Sequence, residues 1–422
     1  MTRAQSDTTF LTLDQAIEYA LTWSPALATA DADLNKAQSR IDEALSYCYP
    51  QLGFQGTYAY LSNVPVLKVQ TGPGTYLQMP MGTHANYDAR LSLSQPLYSG
   101  GRLEKGYEMA RLGVRIAEDS LVRRRQGLIY AVRSAYTNAL LLKQLLELTE
   151  QSKSLAQEHL RAVEALNEQG YASRYDLLRA SLQVENLTPQ ITRLRNAIGL
   201  ALDALKLTIG MPLDQQLDVT GELDCNSVDI NLEDATAEAV HNRREVAMLD
   251  KAIRVTELNR DLIAANCLPT IGAAALYDLK NPSSMGSSGW GSSLTFSLGI
   301  NCALFDGLKT RAQMRQVEAD LRRLKIGRQT LVEAIALEVR DAFSSLASAQ
   351  ASLEATQHSI AIADSGVQLS RARYASGQAS NLEVLDAQLA LFQAKVNRAQ
   401  AMRDYAEARA RLMKALGRDE NE

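Results

Sequence analysis

The side chains able to do chemistry in this sequence are scattered. Four histidines, His84, His159, His241 and His358, stand far from one another, and none falls beside a Ser or Cys motif that would make a nucleophile. The cysteines, Cys48, Cys225, Cys267 and Cys302, form no close pair and have no histidine at zinc-ligand spacing. Neither catalysis, nor a metal, nor a cofactor is expected. Cys48 and Cys267 each lie two residues before a proline, Pro50 and Pro269, and a disulfide between them is left open because sequence gives no distance. What remains is a set of carboxylates beside two glycines. Glu383 and Asp386 follow Gly377 in ASGQASNLEVLDAQ, and Asp176 follows Gly170 in EQGYASRYDLL. Ser380-Asn381-Leu382-Glu383 has capping-box spacing, and Ser173-Arg174-Tyr175-Asp176 is its shorter-armed form, so Glu383 and Asp176 have a structural use in starting a helix. Asp386 lies three residues past Glu383 on the same face, beyond capping reach. A surface ion pair across the hairpin is its plain alternative.

The elements that position these acids are duplicated. Residues 162–185 and 369–392 each read as helix, glycine turn, helix, and lie 207 positions apart. The same offset pairs Leu97, Tyr98 and Gly100 with Leu304, Phe305 and Gly307, and Val132 and Tyr136 with Val339 and Phe343. It also pairs Gly210 with Gly417, and Arg179 with Asp386. Nearer the start an offset of 219 pairs Leu13 with Leu232 and Cys48 with Cys267, so the first half carries 12 extra residues between Pro50 and Leu97. A first repeat is expected over 1–210, with short helices, a β-hairpin at 51–97 and a long helical hairpin at 100–209. A polar linker at 211–231 is expected on the outside of the helical rod. The second repeat is expected over 232–417, with its β-hairpin at 269–304 and its helical hairpin at 307–416, followed by a tail at 418–422.

Hydropathy of period two marks four strands. Leu52, Phe54, Tyr58 and Tyr60 alternate in the first; Tyr87, Ala89, Leu91 and Leu93 alternate with Asp88, Arg90, Ser92 and Ser94 in the second. Ile271, Ala273, Ala275 and Tyr277, then Leu294, Phe296, Leu298 and Ile300, repeat the pattern, with Gly, Pro and Ser rich loops at 63–86 and 280–290. Ordinary hairpins packed on helices are the plain reading. Strands of about 10–12 residues, tyrosines at their ends and a Ser/Thr/Gly/Asn face fit a membrane barrel better. Four strands close no barrel and open edges are not tolerated in lipid, so several copies must share one; three give twelve strands.

Residues 307–374 contain no proline and, as one helix, would span roughly 100 Å. Ile335, Val339, Ala342, Leu346 and Ala349 set a heptad seam there, as do Leu128, Val132, Ala135 and Ala139 in its twin. The returning helices carry Ala180, Val184, Leu187, Ile191 and Leu205, then Leu382, Leu385, Leu389 and Phe392. Pro189 is expected to bend or break its helix. A net charge of −4 gives no polycationic surface for nucleic acid. No apolar run reaches membrane-helix length, and the first residues lack a signal-peptide core, which fits either a cytosolic chain or the mature part of an exported one.

With the repeat, strand pairs and long helices in place, the chain resembles the TolC-like outer-membrane efflux channels, the outer membrane factor family. The resemblance rests on SYCYPQLGF and ANCLPTIGA, on QPLYSGGR and CALFDGLK, and on the YASGQASNLEVLDAQ turn. It implies a fold that is mainly α with a small β part: a long α-helical barrel in the periplasm and a four-stranded contribution to a shared twelve-stranded transmembrane β-barrel. It implies a homotrimer in outer-membrane lipid, working as a passive exit duct of a tripartite efflux or type I secretion system. A periplasmic adaptor (membrane fusion) protein and an inner-membrane pump would be its partners. Carried over residue by residue, Gly170 and Gly377 mark the turns where adaptors dock, Tyr374 and Asp176 belong to the closing network, and Glu383 and Asp386 ring the pore. Ala379 stands where the family has a latch arginine, and Arg174 and Arg179 are the candidate substitutes. Three-fold convergence of Asp386 implies a preference for cations and block by multivalent ones. A soluble coiled-coil scaffold or adaptor is the alternative reading.

Overall fold

A computed structural model describes residues 9–221, 231–283 and 289–418. Cys225, the end of the linker, most of the tail and part of the second strand loop lie outside the described residues. Strand β1 is Thr9–Leu11, followed by α1 (Leu13–Trp23), α2 (Pro25–Ser46), β2 (Gln51–Tyr60), β3 (Val66–Gly72), β4 (Thr75–Pro80), β5 (Ala85–Tyr98), α3 (Arg102–Glu168), α4 (Arg174–Ile209) and β6 (Leu217–Val219). Then come α5 (Leu232–Asn242), α6 (Arg244–Ala264), β7 (Thr270–Asn281), β8 (Gly291–Asn301), α7 (Lys309–Ala375) and α8 (Asn381–Leu416). The order of two short helices, two strands and two long helices recurs, and α3 and α7 are each 67 residues, α4 and α8 each 36. By internal contacts the chain forms two compact units, each drawing on both repeats: Met1–Ala32 with Glu118–Met248 and Arg328–Glu422, and Asp33–Ala117 with Leu249–Gly327.

The second unit holds the sheet. The two expected hairpins are one antiparallel sheet in the order β2-β5-β7-β8, because β5 also pairs with β7. Its register puts Leu52, Phe54, Leu91, Leu93, Ala275, Phe296 and Leu298 on one face, with Phe54 and Phe296 74% and 77% exposed. On the other face Arg90 meets Asp278 at 2.6 Å and Lys280 meets Asp88 at 3.3 Å, so ion pairs stitch the repeats together across β5 and β7. At one end Tyr58, Tyr87 and Trp290 pack in tilted pairs, with ring centres 5.1 and 5.9 Å apart. The outer edges of β2 and β8 pair with no strand among the described residues. The loop expected at 63–86 is corrected: β3 and β4 form a second ribbon there, turning at Gly74 (φ +80°). Its signal, Val66-Leu67-Lys68-Val69 against Tyr76-Leu77-Gln78-Met79, was masked by the surrounding Gly and Pro. Cys48, Cys267 and Cys302 are free thiols, so no disulfide joins the first two.

In the first unit each repeat builds its own core. Val132, Tyr136, Leu205 and Ile209 bury against Ala16 and Ala20; Val339, Ala342, Leu412 and Leu416 bury against Ala235 and Ala239. The linker is corrected in part: β6 pairs with β1 in parallel, and Leu217 and Val219 join the first core instead of lying outside it. Tyr136 supports this, since its buried hydroxyl lies between two carbonyls, 2.6 Å from Thr220 O and 2.9 Å from Leu11 O, with one hydrogen to donate to them. Pro189 does not break α4, which is helical through it. The seam expected on α8 is corrected in part: Leu385 is buried as expected, but Leu382 and Leu389 are exposed, and Val384, Gln388 and Leu391 are buried beside it.

Gly210 and Gly417 close α4 and α8 in the left-handed region, at φ +83° and +71°. A Cβ on Gly210 would lie 2.5 Å from the Trp23 carbonyl oxygen, whereas one on Gly377 (φ +73°) would meet nothing within 4 Å. Gly377→Ala is expected to cost only left-handed strain, about 1–2 kcal/mol. Gly210→Ala adds a backbone collision that no rotamer relieves, so its thermal midpoint should fall further in a side-by-side melt.

Candidate functional site

Both long hairpins turn on a left-handed glycine, Gly170 (φ +80°) between α3 and α4 and Gly377 between α7 and α8. The turns are built alike. Gly170 N donates to Asn167 O and Tyr171 N to Leu166 O; Gly377 N donates to Tyr374 O and Gln378 N to Arg373 O. Tyr171 stands 82% exposed beside the first turn.

Both expected capping boxes form. Asp176 N donates to the Ser173 hydroxyl at 3.1 Å, while the Asp176 carboxylate accepts from that hydroxyl at 2.5 Å and from Ser173 N at 3.3 Å. Glu383 N donates to Ser380 Oγ at 3.3 Å, and the Glu383 carboxylate accepts from Ser380 N at 3.1 Å and lies 3.7 Å from Arg373 Nη1. The Ser173 hydroxyl holds the Asp176 carboxyl below the usual carboxylate range, and the Ser380 backbone N–H does the same for Glu383. Asp386 and Arg174 are exposed and have no hydrogen bond or ion pair among the described residues. Arg179 reaches Asp176 through space only, as a further cause of that lowered carboxyl.

Two residues that the sequence did not mark tie the hairpins together. His159, on α3 and 7% exposed, places Nε2 2.6 Å from Asn381 Oδ1, and Asn381, the 3% exposed first residue of α8, donates from Nδ2 to Asp176 O at 3.2 Å and Asp176 Oδ1 at 3.3 Å. The Tyr374 ring of α7 lies 5.6 Å from the imidazole. Burial, and then the charge of Asp176, push the Tyr374 phenol up. His159, Asp176, Tyr374 and Asn381 thus bring all four long helices to one point. At the repeat-equivalent positions stand Gly366 and Arg174, so only one of two matching places carries the pair. That asymmetry was the available signal. Among the described residues no three His, Cys, Asp or Glu side chains gather as a metal site.

The sequence pattern of the outer membrane efflux protein family matches residues 16–211 and 236–418. The chain is 24% identical over 328 residues, 78% of its length and 71% of the relative's, to the outer membrane efflux protein BepC of Brucella suis. It is 28% identical over 346 residues, 78% of its length and 69% of the relative's, to the alkaline protease secretion protein AprF of Pseudomonas aeruginosa. The solved structure of CusC, described as forming a transmembrane channel, superposes with a TM-score of 0.80 at 20% identity, over 99% of this chain and 95% of that one. Sequence match over both repeats and likeness of fold agree, and the chain belongs to the outer membrane efflux protein family.

Proposed function

We propose that three copies of this chain assemble into one outer-membrane exit duct, each giving four strands to a twelve-stranded barrel and two long helical hairpins to a periplasmic barrel. The chain is an outer-membrane channel protein of an efflux and secretion family, whose members work in tripartite systems with an adaptor and a pump. The observation that carries the trimer is the sheet: among the described residues β2 and β8 end it with unpaired edges, and its apolar face is exposed. Tyr175 and Leu182 on α4, and Leu382 and Leu389 on α8, support it too. They are exposed at repeat-equivalent positions, where a neighbouring copy would cover them.

The gate is assigned to the hairpin turns. Asp176 and Tyr374 hold it closed, Asp386 lines it with charge, and the Gly170 and Gly377 turns receive the adaptor. Glu383, Arg174 and Arg179 lie around it, with Glu383 occupied in its cap. The protein moves no bonds; its chemistry is a barrier of polar contacts and charge. In planar bilayers the detergent-purified protein should give discrete, mostly closed conductance steps, and the double variant Asp176→Ala/Tyr374→Phe should raise mean conductance several-fold. A protein that stays monodisperse without detergent and gives no conductance would favour the coiled-coil scaffold.

A further inference from the structure

We propose that His159 is a proton-sensitive positioning residue: as neutral imidazole it holds Asn381, and through it Asp176, in the closed arrangement, and its protonation in mild acid releases the hairpins. The inference rests on the gate assignment above, and adds to it residues and a trigger.

The geometry fixes the proton on the imidazole. Asn381 Nδ2 donates to both Asp176 acceptors, so Oδ1 is the atom turned to His159 and Nε2 must carry the hydrogen. This bond survives protonation, so its loss is not the trigger. The trigger is burial of charge. His159 is buried, as are Ala156 and Val163 one turn to either side of it on α3, and Ala156 packs in one cluster with Val184 and Leu187 of α4. Of the titratable groups facing it, α7 contributes Tyr374 and the cation Arg371, α4 contributes Asp176 only through Asn381, and α8 presents the neutral amide. Glu383, two residues past Asn381 on α8, is turned to Ser380 and Arg373.

Burial first, and Arg371 last, hold the imidazole below its ordinary value, while the Asn381 bond opposes them. The sign follows. The closed form binds this proton less well than a released, hydrated imidazole does, so closure is fully supported above about pH 6.5 and weakens as pH falls below it. Each unit of difference between the two forms shifts the balance roughly tenfold per copy.

The test is bilayer conductance at about pH 7.5 and about pH 5.5, either side of the imidazole range. The wild type should open more at the lower pH, by up to about tenfold per copy, the limit set by working one pH unit below the free imidazole value. His159→Gln keeps a donor for Asn381 Oδ1 but cannot titrate, and should stay closed at both. His159→Ala should conduct at both; if it fails to assemble, His159→Gln carries the test alone. A wild type that does not respond to pH, or a His159→Gln variant that responds as the wild type does, overturns the proposal. The double variant Asp176→Ala/Tyr374→Phe separates the two readings: if it opens while His159→Gln keeps the pH response, only the role of His159 falls; if it stays closed, the gate assignment falls as well.

Discussion

Phe296→Arg is expected to empty the outer membrane of this protein. Phe296 is 77% exposed in the middle of β8, between Leu294 and Leu298 on the same face, and opposite Ala275 of β7. A cationic side chain on the lipid face at mid-bilayer depth costs about 2–4 kcal/mol. Every tenfold in an equilibrium corresponds to about 1.4 kcal/mol, so one copy alone gives a loss of tenfold or more, and a shared barrel carries the charge once per copy. Thr295→Arg, one position away on the polar face, is the control and should leave insertion nearly unchanged. Quantifying both variants in density-separated outer membranes checks this. A Phe296→Arg protein recovered there at the wild-type level would mean the apolar face does not meet lipid.

Asp386→Asn should remove cation preference. Asp386 is exposed and uncommitted among the described residues, while Glu383, one turn earlier, is engaged by Ser380 and Arg373. On the proposed trimer Asp386 supplies three carboxylates around one axis, and a confined set of like charges concentrates counter-ions by about tenfold or more. Reversal potentials in a salt gradient should therefore move toward zero in Asp386→Asn, and block by a trivalent cation should weaken by about the same factor. Glu383→Gln should change block much less, because its carboxylate is already satisfied. Unchanged selectivity in Asp386→Asn would place the acid on the outer surface as an ordinary charge.

Period and offset made most of the fold readable. The seams at Val132/Val339 and Ala135/Ala342 predicted the long helices, and the alternation around Phe54 and Phe296 predicted β2 and β8. What was lost was held by non-local pairing. The β3–β4 ribbon hid within a stretch whose Gly and Pro content reads as loop, and β6 is buried only because β1, more than 200 residues earlier, and Tyr136 reach it. Leu382 and Leu389 carry the right spacing for a seam, but spacing does not say what covers it, and the chain's own helices leave both exposed. At the hairpin turns the capping boxes were legible because their geometry is local. His159 was not: its partner Asn381 lies 222 positions away, and a lone histidine on a helix carries no periodic signal.

Four strands with two open edges are stable in lipid only as part of a larger ring, so the proposed channel requires that copies of the chain close the sheet together. Native mass spectrometry of the detergent-extracted protein reads this directly. A single species of three chains is expected; a monomer or a dimer as the dominant species would contradict shared closure.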